Sequence, residues 1–190
     1  MIKAHVRRFL PEILEIIHTF WGNSALLKST LLLCEELSRA LRDECRSYLP
    51  ELVPRIVAVL ADAERSGRYA AVPYVLRALE TFGSGVDEHL HLALPSIVRL
   101  FKPGVAPVPF QVRRAVLASL SRLLPRMQCA SSQHASAIIA PLARILESDD
   151  AILRKYAVDA LIALEKPLGN EYRLFLPSIT RVARRVGLKD

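Results

Sequence analysis

Long uninterrupted apolar runs are missing from this 190-residue chain. No stretch of about 18 uncharged apolar residues occurs, which argues against a membrane-spanning helix. The opening Met1-Ile2-Lys3-Ala4-His5-Val6-Arg7-Arg8 has neither the continuous apolar core nor the small-residue cleavage site of a secretory signal. Cytoplasmic or nuclear residence is the expectation. Cysteine is sparse: Cys34, Cys45 and Cys129 are odd in number and lack any C-x-x-C spacing. Neither a disulfide framework nor a thiolate metal site is therefore expected. Cys34 stands among Leu31, Leu33 and Leu37, as a small buried hydrophobe would. Aromatic residues make up only 6% of the chain and do not interleave with its basic residues. Nucleic acid, which needs such stacking platforms, is an unfavoured partner.

Catalytic constellations are absent as well. His89-x-His91 has a metal-like look, but residues two apart on a helix point about 200° apart and cannot share one ion. His5, His18 and His134 are isolated. Ser24, Ser29 and Ser132 have no neighbouring His and Asp in a triad-like arrangement. Glu35-Glu36 and Asp149-Asp150 are adjacent carboxylates, expected on a helix surface and a turn, where they diverge and form no acid/base pair. Gly83-x-Gly85 lacks the rest of a dinucleotide or phosphate-loop fingerprint. No catalytic, metal or cofactor site is expected.

What the chain does have is aliphatic side chains in helical register, with 52% of its residues hydrophobic. In Tyr48-Leu49-Pro50-Glu51-Leu52-Val53-Pro54-Arg55-Ile56-Val57-Ala58-Val59-Leu60, residues Leu49, Leu52, Val53, Ile56, Val57 and Leu60 share one helix face. Variants of this phrase, each marked by a proline, recur at Phe9-Leu10-Pro11, Leu94-Pro95, Ala140-Pro141 and Leu176-Pro177. Successive prolines lie 39, 45, 46 and 36 residues apart. A period near forty with two helical patterns per period predicts an all-α, HEAT-type α-solenoid of about four and a half two-helix repeats.

The repeats are expected at about 4–42, 43–83, 86–127, 131–167 and, partially, 170–190, forming a single solenoid segment. Helices are predicted around Val6 to Phe20 and Ser24 to Leu41, with Gly22-Asn23 turning the chain and Ser24 as cap. Asp43 and Asp87 are expected to cap repeats two and three. Inward stripes follow as Leu27, Leu31, Cys34, Leu37 and Leu41, then Val72, Val75, Leu76 and Leu79. Two more are Val112, Ala115, Val116, Ser119, Leu120 and Leu123, then Leu153, Tyr156, Ala157, Ala160, Leu161 and Leu164. Lys102 to Pro109 reads as a long loop inside repeat three. The first helices are expected to run through their prolines with a kink, since the apolar pattern continues upstream of Pro95 and Pro141. The last repeat lacks a second helix.

The net charge of +7 permits steering towards anionic partners. Arg113-Arg114 and Arg154-Lys155 open successive second helices and are the candidate partner-contact residues. The position beside Val72 holds Pro73-Tyr74 instead, so the ladder is short. The competing structural role for such an arginine is a pair with Asp149 or Asp150. Arg181, Arg184, Arg185 and Lys189 add charge near the end.

The wording of several repeats resembles the target of rapamycin (TOR) kinase family. The similarity is carried by Tyr48-Leu49-Pro50-x-Leu52-Val53-Pro54 and by Ser29-Thr30 with the leucines after it. It extends through Phe82-Gly83-x-x-Val86-Asp87-x-x-Leu90-His91-Leu92-x-Leu94-Pro95-x-Ile97-Val98-x-Leu100-Phe101 and Leu168-Gly169-x-x-Tyr172-x-x-Phe175-Leu176-Pro177. It covers most of the chain, departing at Lys102–Pro109 and Gln128–His134. The resemblance implies a middle HEAT segment of a very large serine/threonine kinase, outside its catalytic region. It further implies a scaffold role in nutrient and growth signalling, dimeric assembly, and positioning of a raptor-type regulatory subunit in the cytoplasm or at endomembrane surfaces. The competing expectation is a free-standing HEAT adaptor of the nuclear-transport or phosphatase-scaffold kind.

Overall fold

The computed structural model describes residue 6 and residues 8–102, 108–126 and 131–185, without the side chains of residues 84, 90 and 131–134. His5, Cys129, Lys189 and residues 103–107 of the predicted loop lie outside the described residues, as does the 128–130 part of the second divergent stretch. Secondary structure among the described residues is helical, with no strand. The chain divides into two compact units, Met1–His89 and Leu90–Asp190.

The first unit holds α1 (Leu10–Phe20), α2 (Leu27–Leu41), α3 (Leu49–Ser66) and α4 (Val72–Thr81). Contacts join α1 to α2, α3 to α4, and α2 to α4. Second helices thus lie beside one another, as in an α-solenoid. The predicted stripes fill the core: Leu31, Cys34, Leu37 and Leu41 of α2 meet Val72, Val75, Leu76 and Leu79 of α4, all buried. Leu49, Leu52, Val53, Ile56 and Leu60 are buried on α3, while Val57 is half-buried. Each buried aliphatic side chain contributes about 1.5–3 kcal/mol. Cys34 and Cys45 are free and buried, and burial, with Cys45 nearby, pushes the Cys34 thiol up to about 12.

Glu35 departs from expectation. It is only 2% exposed rather than on the surface, and its carboxylate accepts from Arg39 on its own helix and from Arg77 of α4, the latter at 2.9 Å. Both arginine side chains are about half exposed, so the buried carboxylate meets partly hydrated cations that compensate its desolvation. Ser38 Oγ donates to the Thr81 carbonyl at 3.3 Å across the same seam.

The second unit holds α5 (Leu90–Phe101), α6 (Phe110–Leu123), α7 (Ser131–Leu146), α8 (Ala151–Ala163), the single turn α9 (Glu165–Leu168) and α10 (Tyr172–Arg185). First helices pack on one another, α5 on α7 and α7 on α10, while second helices α6 and α8 do the same. Small residues line that second-helix contact: Ser119, Ala157 and Ala160 are buried among Val116, Leu120, Leu153 and Leu161.

Helix starts differ from the sequence pattern in a consistent way. Pro11 and Pro50 sit in the first turn of α1 and α3, where a missing N–H costs nothing, so these helices do not run through them as expected. Pro95, Pro141 and Pro177 do lie inside α5, α7 and α10. Asp43 and Asp87 cap no α-helix; they fall within 3-10 turns at Arg42–Tyr48 and Gly83–His89, and the helices begin at Leu49 and Leu90. Ser24 is not a cap either: Asn23 accepts from the Ala25 N–H, and α2 starts at Leu27. The two 3-10 turns touch at Gly85, where a Cβ would come within 2.7 Å of Leu49.

Three repeats end on a residue of positive φ. Arg42, Gly83 and Gly169 take φ of 53°, 60° and 51° within two residues of their helix ends. For Arg42 this conformation is unfavourable, since L side chains with a Cβ seldom adopt it. Its side chain is exposed and has no ion pair among the described residues, so little opposes its removal. Arg42→Gly is expected to raise the chemical-denaturation stability by about 1 kcal/mol; an unchanged or lowered midpoint would contradict the strain. Leu161→Ala, at a buried seam position, should lower stability by about 2–5 kcal/mol in the same assay.

Candidate functional site

Arg113 and Arg114 are the fourth and fifth residues of α6, and Arg154 and Lys155 hold the same places on α8. Because α6 and α8 pack together, the expected two-rung ladder is brought onto neighbouring helices. Val112 and Leu153, each one residue before the basic pair, are buried and fix the faces. Arg113 and Arg154 are half-buried, whereas Arg114 and Lys155 are exposed.

The alternative role for Arg154 is not met. It pairs with neither Asp149 nor Asp150; instead Asp150 caps α8, its carboxylate accepting from the N–H groups of Ile152 and Leu153 at 2.9 and 3.0 Å. An acidic cap suits the positive end of the helix dipole. The competition was between a side-chain partner and a backbone partner, and the nearer backbone donors won.

Other sequence readings resolve simply. His18 is not isolated, since its Nε2 lies 2.9 Å from Glu51, joining α1 to α3. His89 is half-buried on a 3-10 turn and His91 is exposed on α5. Among the described residues no group of three or more His, Cys, Asp or Glu side chains could hold a metal, and no helix is long and apolar enough to cross a membrane. Leu174 and Leu176 are exposed on α10, and an apolar groove of about 370 Å³ runs between α1 and α2 beside Ile13 and Leu37.

The charge is unevenly divided, a feature that a whole-chain total conceals. The first unit carries 11 basic and 12 acidic residues, the second 15 and 7. The second unit alone is therefore +8, and its counts could have been taken from the sequence once the boundary was known.

Helix pairs whose second helices pack side by side within each unit define a protein of the α-solenoid class. No protein-family model matches the chain. The serine/threonine-protein kinase TOR of Arabidopsis thaliana is 38% identical over 190 residues, spanning 96% of this chain. The mTor kinase of Drosophila melanogaster is 34% identical across 100% of it, and TOR2 of Saccharomyces cerevisiae 25% identical across 97%. The chain spans only 7–8% of the length of these relatives. It is homologous, over nearly all its residues, to one segment of the TOR serine/threonine kinases.

The site geometry separates two arginine-side substitutions. Asp150→Ala should cost about 0.5–2 kcal/mol through the lost cap, while Arg154→Ala should stay within about 0.5 kcal/mol. Equal losses in urea unfolding would restore the paired role of Arg154.

Proposed function

We propose that the chain is a non-catalytic HEAT-type scaffold segment of a TOR-like serine/threonine kinase, serving protein–protein assembly in nutrient and growth signalling. The observation that carries this reading is the similarity to TOR kinases along nearly the whole chain, within a small fraction of their length. The five repeat stretches, 4–42, 43–83, 86–127, 131–167 and 170–190, are read as one segment of that scaffold. Its physical role is to present side chains from packed helix pairs, as solenoid repeats do. Arg113, Arg114, Arg154 and Lys155 are assigned to partner contact, with Arg114 and Lys155 the accessible pair. A raptor-type regulatory subunit and a second copy of the kinase are the partners assigned, in the cytoplasm or at endomembrane surfaces reached through them.

Immunoblotting of source-cell lysate with an antibody to this segment provides the test. The expected band is many times heavier than 21.2 kDa, and the same antibody should co-precipitate a raptor-type subunit. Arg114→Glu combined with Lys155→Glu in that large polypeptide should reduce co-precipitation at least about tenfold, since reversed charge opposes the partner's complementary surface. A single band near the chain's own mass would favour the free-standing adaptor instead.

A further inference from the structure

We propose that the second unit contains a binding site for a phosphoryl oxyanion, in a cavity of about 250 Å³ bounded by α5, α6, α7 and α8. Arg113 of α6 and Arg144 of α7 both line it, and Ser148 lies at the turn between α7 and α8. Phe101, Leu117, Ile145 and Leu153 supply apolar walls. Neither arginine has an acidic partner among the described residues. The one carboxylate lining the cavity, Glu147, is already engaged by Arg185 at 3.0 Å.

Two polar atoms here lack any hydrogen-bond partner although buried: Nε of Arg113 and Oγ of Ser148. A folded protein rarely leaves such groups unsatisfied, and a site that retains them holds unused donor capacity. By contrast, Arg39 and Arg77 are engaged by Glu35 and Arg65 by Asp62. The pattern selects the ligand. Two guanidinium groups match a double negative charge, and three separate donor residues match three terminal oxygens, which a phosphoryl group has and a carboxylate lacks. The volume admits that group and a few carbon atoms against the apolar walls. The +8 charge of this unit would draw such an anion in. This site stands independently of the scaffold reading. Its phosphoryl group has two sources, a small phosphate compound or a phosphorylated side chain.

Calorimetric titration of the 190-residue chain with inorganic phosphate, at low chloride, tests the site. A phosphoserine-containing peptide and its unphosphorylated twin form the second arm. Saturable one-to-one binding of phosphate is expected with Kd of about 1 mM. Arg144→Gln and Arg113→Gln should each weaken it at least about tenfold, whereas Arg173→Gln, exposed on α10, should leave it unchanged. Arg144 is also exposed, so its variant keeps the fold, which an unchanged thermal midpoint verifies even where the Arg113 variant is unstable. Tighter binding of the phosphopeptide than of phosphate assigns the site to a modified side chain; equal binding assigns it to a small phosphate. Non-saturable uptake, undiminished binding in Arg144→Gln, or equal binding of the unphosphorylated peptide overturns the site.

Discussion

The packing of one second helix against the next is the contact on which the rest of the structure depends. A two-helix repeat has too little interior to shelter both apolar stripes, so each stripe must be completed by the adjacent repeat. In the second unit the seam is built from Ser119, Ala157 and Ala160 between larger aliphatic residues. Small residues let helix axes approach closely, and leucine and valine then fill the grooves. The low aromatic content follows from the same demand, because bulky rings would hold the helices apart. Positions on the opposite faces of the second helices are released from packing, and the basic residues of α6 and α8 occupy the rim of that released surface.

Polar groups within this scaffold divide by how they are compensated. Glu35 is buried yet clamped by two arginines that remain hydrated at their far ends. Asp150 is satisfied by backbone donors at a helix start. Buried polar atoms without a hydrogen-bond partner remain on Asp87, Arg113, Ser119 and Ser148. Two of these four, Arg113 and Ser148, line one cavity of the more basic unit.

Much of the fold was legible because helical periodicity is a property of the backbone. The inward stripes of α2, α4, α6 and α8 could be written down residue by residue, and the buried positions follow them closely. Helix starts were less legible. Asp43 and Asp87 have capping chemistry, but the 3-10 turns that hold them are set by contact between repeats, as the close approach at Gly85 shows. Sequence spacing does not encode such contact. Glu35 illustrates the same limit, since the Arg77 that compensates it lies 42 residues away. The four candidate basic residues were readable as a repeat position. The cavity at Arg113 was not, because Arg144 and Ser148 join it only through the packing of four helices.

The recurrent left-handed stop after Leu41, Phe82 and Leu168 bears on how such a chain can vary. Proline-to-proline spacing differs by up to ten residues among the repeats, yet these three repeats leave their last helix through a residue of positive φ. Length differences are then taken up ahead of that exit, in helices that run from 10 to 18 residues and in the loops that join them. Each repeat is in effect a cassette with a recurrent exit and an adjustable interior.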